Sequence, residues 1–395
     1  MTRNIHVAGV GMIPFTKPGT SANYDEMGAQ AINLALADAG IDYALVQQAY
    51  AGYVYGDSTC GQAALYRVGM TGIPVVNVNN NCATGSTALF LAHQAVKSGL
   101  VDCALAFGFE QMQPGALKSN WDDRPRAMAN FSRIANELVP DAPEAGAIRM
   151  FSGAGRAHMQ KYGTRLETFA KIRAKASQHA ARNPLAIFRT VLTPADVLAS
   201  PSLWDGVLTR LMACPPTCGA AAAIVVSEAF ARRHGLRTDV AIAGQALTTD
   251  GPAVFQNPDM IDLVGFGMTQ SAARAVYEQA GIGPEDIDVI ELHDCFAQNE
   301  LITYEGLGLC DKGEGEKLVE AGDNTYGGKW VVNPSGGLLS KGHPLGATGL
   351  AQCYELVHQL RGSAGERQVP DARLALQHNL GLGGACVVTA YKRTA

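Results

Sequence analysis

Residues Ala35 to Ala51 read ALADAGIDYALVQQAYA, and Val276 to Glu291 read VYEQAGIGPEDIDVIE, with Gly40 and Gly281 in register at an offset of 241. Each is the end of a helical pattern, a glycine able to cap it, and an apolar stretch with strand character. The likeness continues outward in the same order. Ala83-Thr84-Gly85 opens the helical pattern STALFLAHQAV, and Ala347-Thr348-Gly349 opens LAQCYELVHQL. Each half then closes on an apolar strand, DCALAFGF at 102 to 109 and ARLALQHNL at 372 to 380, followed by glycines. Repetition of this kind means one mixed α/β unit used twice.

Between the two units, roughly Pro114 to Asp205, the pattern breaks into scattered proline, tryptophan and polar turns around one long helical stretch, Gly155 to Arg182. That segment reads as an insertion on the first half, with Ala220 to Val226 returning to it and Asp239 to Gln245 starting the second. The expected organisation is a first half over 1–115 and 206–236, an inserted loop domain over 116–205, and a second half over 237–395. Arg156 to Arg182 holds seven basic residues against Glu167, a local balance of +6, which could hold a phosphorylated substrate; a solvated helix face would look the same.

Composition narrows the class. The chain has 395 residues and a formal charge of −5, which disfavours whole-chain nucleic-acid binding. Charged residues are 17% and glycines number 44, as in a tightly packed globular enzyme. No apolar run reaches the ~20 residues of a membrane span. The N-terminal MTRNIHVAGVGMIPF alternates like a strand and lacks a secretory pattern, and the nine cysteines show no framework spacing, so the expectation is reduced thiols in the cytoplasm. Gly9-Val10-Gly11 lacks the third glycine of a dinucleotide fingerprint, and Pro14 occupies the helix start. Cys214 and Cys218 have no second pair with which to complete a zinc site. Asp57 and Glu110 read as solvated loop acids.

Four segments carry chemistry. Pro74 to Leu91, PVVNVNNNCATGSTALFL, runs from a strand into Cys82 with a helix immediately behind, where the helix end is expected to lower the thiol pKa and supply N–H groups to an oxyanion. Asp286 to Glu300, DIDVIELHDCFAQNE, ends a strand in His293-Asp294-Cys295, at the crevice side of an α/β sheet. Asn333 to Gly349, NPSGGLLSKGHPLGATG, fixes His343 between Gly342 and Pro344, as a general base for a thiol requires. Gln377 to Ala385, QHNLGLGGA, is a strand-to-glycine turn whose N–H groups could line an anion hole.

These four segments together resemble the fingerprint loops of the thiolase superfamily, most closely its sterol-carrier-protein branch, often called lipid-transfer proteins. The resemblance implies an α/β thiolase fold: two duplicated βαβαβαββ halves in five layers, αβαβα, with an inserted loop domain that binds coenzyme A, and assembly as a homodimer or tetramer. It implies Cys82 as nucleophile and His343 as its base. His293, where degradative thiolases usually have Asn, joins the oxyanion hole of the enolate. The usual Cys-x-Gly cysteine is absent, since the stretch reads His378-Asn379-Leu380-Gly381; Cys295 inherits the acid/base role, and Gly381 with the Cys82 backbone forms the second oxyanion hole. The implied substrates are acyl-coenzyme A esters with coenzyme A as co-substrate, no permanently bound cofactor or metal, and phosphate contacts at Arg156, Lys161, Arg165, Lys171 and Arg173. CPPTCG at 214–219 departs from the pattern, which commonly has Asp near its last position, and no sterol-carrier domain follows.

The activity so implied is thiolytic cleavage of a 3-oxoacyl-coenzyme A, of the kind used in β-oxidation of lipids. A condensing C-acyltransferase shares the Cys-His-His set but has no evident use for Cys295. A thiolase-like steroid aldolase subunit working with a small partner protein is the other reading, and such proteins usually lose the reactive cysteines.

Overall fold

A computed structural model describes residues 3–114, 121, 123–143 and 146–394. Ten strands form the main sheet system: β1 (Ile5–Met12), β2 (Gln48–Gly52), β3 (Val75–Val78), β4 (Cys103–Glu110), β7 (Gly219–Ser227), β8 (Val240–Thr248), β9 (Val289–Glu291), β10 (Val331–Val332), β11 (Leu374–Gly381) and β12 (Ala385–Arg393). β5 (Ser202–Trp204) and β6 (Leu208–Thr209) pair separately. The spatial order is β10-β9-β11-β12-β8-β1-β7-β4-β2-β3, joined at the middle by His6 opposite Ala241. Read outward from that junction, each half has two antiparallel strands followed by three parallel ones, so the duplication seen in the sequence reappears strand for strand.

Alternation in the strands explains the layering. In β7, Ala221, Ala223 and Val225 enter one core while Ala220, Ala222, Ile224 and Val226 enter another. The first core is a central layer formed by the helices Thr84–Lys97 and Leu345–Arg361, which pack on each other and on both halves of the sheet. Helix Tyr24–Ala39 covers the outer face of the first half and helix Phe266–Ala280 that of the second, which completes the five layers. The two central helices cross closely because Gly85 faces the backbone of the other helix: a Cβ there would lie 2.7 Å from the Gly346 carbonyl oxygen. The repeated Ala-Thr-Gly is therefore a helix-crossing device.

Between β4 and β7 the chain builds helices Ala129–Leu138, Gly146–Tyr162 and Leu166–Ala180. The expected single helix over Gly155 to Arg182 is two, interrupted at Gly163, whose φ of +79° takes the chain out of the helix. Although inserted in the first half, these helices pack on Ala297–Gly306 and Gly337–Ser340 of the second, so the insertion roofs the segments bearing His293 and His343. Among the described residues no helix is long and apolar enough to cross a membrane.

Candidate active site

Cys82 lies at the junction between the edge strand β3 and the first central helix. The turn is set by Asn81, whose φ of +51° is tolerated by an asparagine, and by Thr84, whose hydroxyl donates to the Asn81 carbonyl at 2.6 Å and accepts from Asn80 N–H at 2.8 Å. His343 occupies the corresponding place before the second central helix. Its backbone N–H donates to Thr217 Oγ1 at 3.1 Å, and Pro216 bridges alongside. His293 follows β9 and is held through its carbonyl, which accepts from Asn299 Nδ2 at 2.6 Å. One ligand atom from each of Cys82, His293 and His343 lies within 4.8 Å of the others, and the two imidazoles meet edge to face at 5.0 Å. The three expected residues converge.

Hydrogen bonding gives the two histidines different tasks. His343 Nδ1 is 2.7 Å from Thr348 Oγ1, whose hydroxyl donates to the Pro344 carbonyl, so the imidazole must donate from Nδ1. Its Nε2 lone pair then faces the site, with no hydrogen-bond partner among the described residues. His293 Nδ1 instead accepts from Asn379 Nδ2 at 3.0 Å, which leaves the proton on Nε2. The trio offers one thiol, one basic nitrogen and one N–H donor, a set suited to proton transfer and oxyanion binding; a cation would find only two of the three atoms with a lone pair free.

Burial keeps these groups neutral. The His343 pKa is pushed down to about 3 by burial and by Lys341, and that of His293 falls well below its ordinary value through burial and the neighbouring His343 and His378. The thiol behaves against expectation. A helix N-terminus was expected to lower the Cys82 pKa, but burial and the Glu110 carboxylate push it up to about 12, outweighing the backbone N–H. The resting thiol donates to Asn81 Oδ1 at 3.6 Å. The site therefore rests as a neutral thiol–imidazole pair.

Cys295 is 4% exposed, and its pKa is raised well above the ordinary value by burial, then by Cys214 and Cys82. Its carbonyl accepts from Cys214 N–H at 2.9 Å, which brings the CPPTCG segment against HDCF. Cys218 instead faces the Met112 carbonyl, so the two cysteines of that segment point to different places. Asp294 accepts from Leu338 and Leu339 N–H and caps helix Gly337–Ser340. Gly381 ends β11 against the Cys82 loop, where a Cβ would lie 2.2 Å from the Asn80 carbonyl oxygen. A cavity of about 850 Å³ opens beside Asn79–Asn81 and Leu382–Gly384, with Met128, Arg149 and Met150 on its far wall.

The basic stretch meets counter-charges that its linear count omits. Arg156 pairs with Asp141 at 2.6 Å, Arg165 with Glu316 at 2.6 Å and Glu320 at 2.7 Å, and Lys171 with Glu320 at 2.8 Å. Arg173 is buried and donates to Ser340 Oγ, and Lys175 is buried against Glu300. Lys161 lies 3.9 Å from Asp259, and exposed Arg182 lies over the Tyr326 ring at 4.7 Å.

Residue-by-residue reading missed several supports. Glu110 is not a solvated loop acid: it is fully buried and accepts from Val54, Tyr55 and Gly346 N–H, tying the two halves together. Asp57 does lie exposed. Thr348, Thr217 and Asn379 orient the histidines, and only Thr348, in the repeated Ala-Thr-Gly, had a sequence signal.

Residues 5–201 match the family description "Thiolase, N-terminal domain" and residues 248–390 "Thiolase C-terminal domain-like". The chain belongs to the thiolase family. It is 54% identical to sterol carrier protein 2 of Bos taurus, over 99% of this chain and 73% of that one. It is also 34% identical to an acetyl-CoA acetyltransferase of Methanothermobacter thermautotrophicus, over 99% and 100%. Among solved structures, the "Ltp2-ChsH2(DUF35) aldolase" shares the fold of this thiolase chain with a TM-score of 0.83 at 22% identity, over 99% and 98% of the two chains.

Proposed function

We propose that this thiolase cleaves 3-oxoacyl-coenzyme A with coenzyme A, giving acetyl-coenzyme A, or propionyl-coenzyme A from a 2-methyl substrate, and a shortened acyl-coenzyme A. The observation that carries the reading is the convergence of the Cys82 thiol, the unpartnered Nε2 of His343 and the Nε2–H of His293. The 3-keto carbon approaches Cys82 as His343 takes the thiol proton, so charge separates only while the carbon–sulfur bond forms. The alkoxide that forms is received by the N–H groups at the Cys82 helix end and Gly381. The carbon–carbon bond then breaks, and the enolate oxygen is held by the Nε2–H of His293 and of the now protonated His343. Cys295 gives the enolate carbon its proton, then takes one from incoming coenzyme A, which resolves the acyl-cysteine.

Coenzyme A is co-substrate in this reading, its phosphates assigned to Lys161 and Arg165, two exposed members of the basic group, with Arg165 exchanging Glu316 and Glu320 for phosphate. Strand β3 leaves an open sheet edge with Val76 exposed, beside exposed Tyr66 and Met70, which supports assembly as a homodimer or tetramer. The nine cysteines are all free, which supports a reducing, cytoplasmic setting. The presence of Cys295 beside Cys82 favours thiolysis over a decarboxylating condensation or an aldolase subunit. Incubation with straight-chain, 2-methyl and sterol side-chain 3-oxoacyl-coenzyme A esters, scored for acyl-coenzyme A release, tests it; no product from any of them would refute it.

A further inference from the structure

The bond from Asn379 to His293 ends a longer buried chain whose direction can be read from a fixed point. The carbonyl of Gly349 can only accept, so the group facing it at 2.6 Å must be the amide nitrogen of Gln377. The phenol of Tyr391 donates to Oε1 of the same amide and holds the same orientation. Gln377 Nε2 also donates to Ser86 Oγ at 2.8 Å. The Ser86 hydroxyl then donates to Asn379 Oδ1 at 2.9 Å, its one recorded acceptor among the described residues. Asn379 is left with Nδ2 toward His293 Nδ1 at 3.0 Å. Ser86, Gln377 and Asn379 are fully buried and His293 is 1% exposed, so water does not scramble the order. Turning the Asn379 amide over would face two acceptors to each other or strand the Ser86 proton.

We propose that Asn379 is a positioning residue that fixes His293 as the Nε2–H tautomer, with Ser86 and Gln377 setting its direction, so that a neutral imidazole presents a hydrogen-bond donor to the oxyanion. The proposal deepens the oxyanion role assigned to His293 above and rests on that reading for its kinetic consequence. A neutral imidazole has one N–H, and whichever group faces Nδ1 decides where it sits. An asparagine NH₂ at Nδ1 sends the proton to Nε2; a carboxylate there would draw it to Nδ1 and leave a lone pair against the oxyanion. Loss of one oxyanion donor lowers turnover by about 10²–10³.

The decisive comparison is therefore between an isosteric and a truncating variant. Asn379→Asp should cut turnover of 3-oxooctanoyl-coenzyme A by roughly 100-fold or more at pH 8.5. Activity should return as the pH falls, because the His293 imidazolium paired with the new carboxylate again carries Nε2–H. Asn379→Ala leaves the tautomer free, and should lose only several-fold with the wild-type pH profile. Ser86→Ala should fall between the wild type and Asn379→Asp. Iodoacetamide labelling of Cys82 should stay within about 3-fold in all three, since the nucleophile loop is untouched. Nitrogen-15 spectra of histidine-labelled wild type, with His293 assigned by its absence in His293→Ala, should show Nε2 protonated, and this reads the proposal even if the Asp variant does not fold. An Nδ1–H tautomer in the wild type would overturn it, as would Asn379→Asp keeping the wild-type pH profile or losing less activity than Asn379→Ala. A wild type with the Nε2–H tautomer that cleaves no 3-oxoacyl ester would support the positioning role while refuting thiolysis.

Discussion

Alkylation of Cys82 by iodoacetamide as a function of pH tests the neutral resting pair. An ordinary cysteine has a pKa near 8.5, and burial with the Glu110 carboxylate moves Cys82 to about 12. At pH 7.5 that difference lowers the thiolate fraction by roughly three and a half powers of ten. The more basic thiolate is the better nucleophile, and a Brønsted slope of about 0.4–0.5 returns about one and a half of those powers. Cys82 should therefore react roughly 100-fold more slowly than an exposed cysteine, with a rate rising tenfold per pH unit through the range 7 to 10. His343→Ala should change this rate little, because the resting proton points at Asn81 rather than His343, yet it should abolish acylation by substrate. Rates followed by intact mass, with the label mapped by peptide, give both numbers. A rate that levels off below pH 9, and loses that plateau in His343→Ala, would mean a resting thiolate–imidazolium pair and would refute the argument that burial dominates the helix end.

Mixing the protein with 3-oxoacyl-coenzyme A in the absence of coenzyme A should leave a single acyl adduct on Cys82; finding it on Cys295 or Cys386 would sink the assignment. Cys295→Ala should abolish turnover while Cys82 still alkylates, whereas Cys386→Ala should cost little activity, because that thiol is fully buried on β12 near Thr269. Charge reversal at Lys161 and Arg165 together should raise the Michaelis constant for coenzyme A, more at low salt; unchanged saturation would leave the pair as a solvated face. Burial raises the Glu110 pKa from 4.5 to about 7, so the folded chain holds this proton more tightly than the unfolded one and its ionisation costs stability as pH rises from about 4.5 through 7. Glu110→Gln should show a stability curve flatter than wild type over that window by roughly 3 kcal/mol, measured by denaturant unfolding.

The parts of this site that can be read from sequence are those carried by chain punctuation. Cys82 and His343 stand just before helices, at places marked by Asn, Gly and Pro within a few residues, and His293 stands where the apolar stretch Val289 to Leu292 ends. The duplication is legible for the same reason, since Gly40 and Gly281, or Gly85 and Gly349, are fixed by local turns and crossings. What sequence does not show is set by partners far away along the chain. Glu316 and Glu320 neutralise Arg165 and Lys171 from about 150 residues off, so a local charge balance misjudges the surface. Ser86 meets Asn379 across 293 positions. The sign of the Cys82 pKa shift is likewise tertiary: the helix end is visible in sequence, while the burial and the Glu110 charge that outweigh it are not.

The duplication also explains why the proposed nucleophile and base meet at all. Cys82 precedes Thr84–Lys97 and His343 precedes Leu345–Arg361, so the two residues occupy equivalent ends of the repeated central helix. Packing those helices through Gly85, Gly346 and Gly349 brings their N-termini together, the second tied by its Gly346 N–H to the buried Glu110 carboxylate. At the Cys82 end, burial and the Glu110 charge outweigh the helix end, so the paired thiol and imidazole rest uncharged. Burial and Lys341 keep His343 unprotonated, so in the proposed reaction its protonated form readily returns the proton. His293 comes from a strand end without this pseudo-symmetry, and so needs a side chain, Asn379, to decide which nitrogen carries its proton.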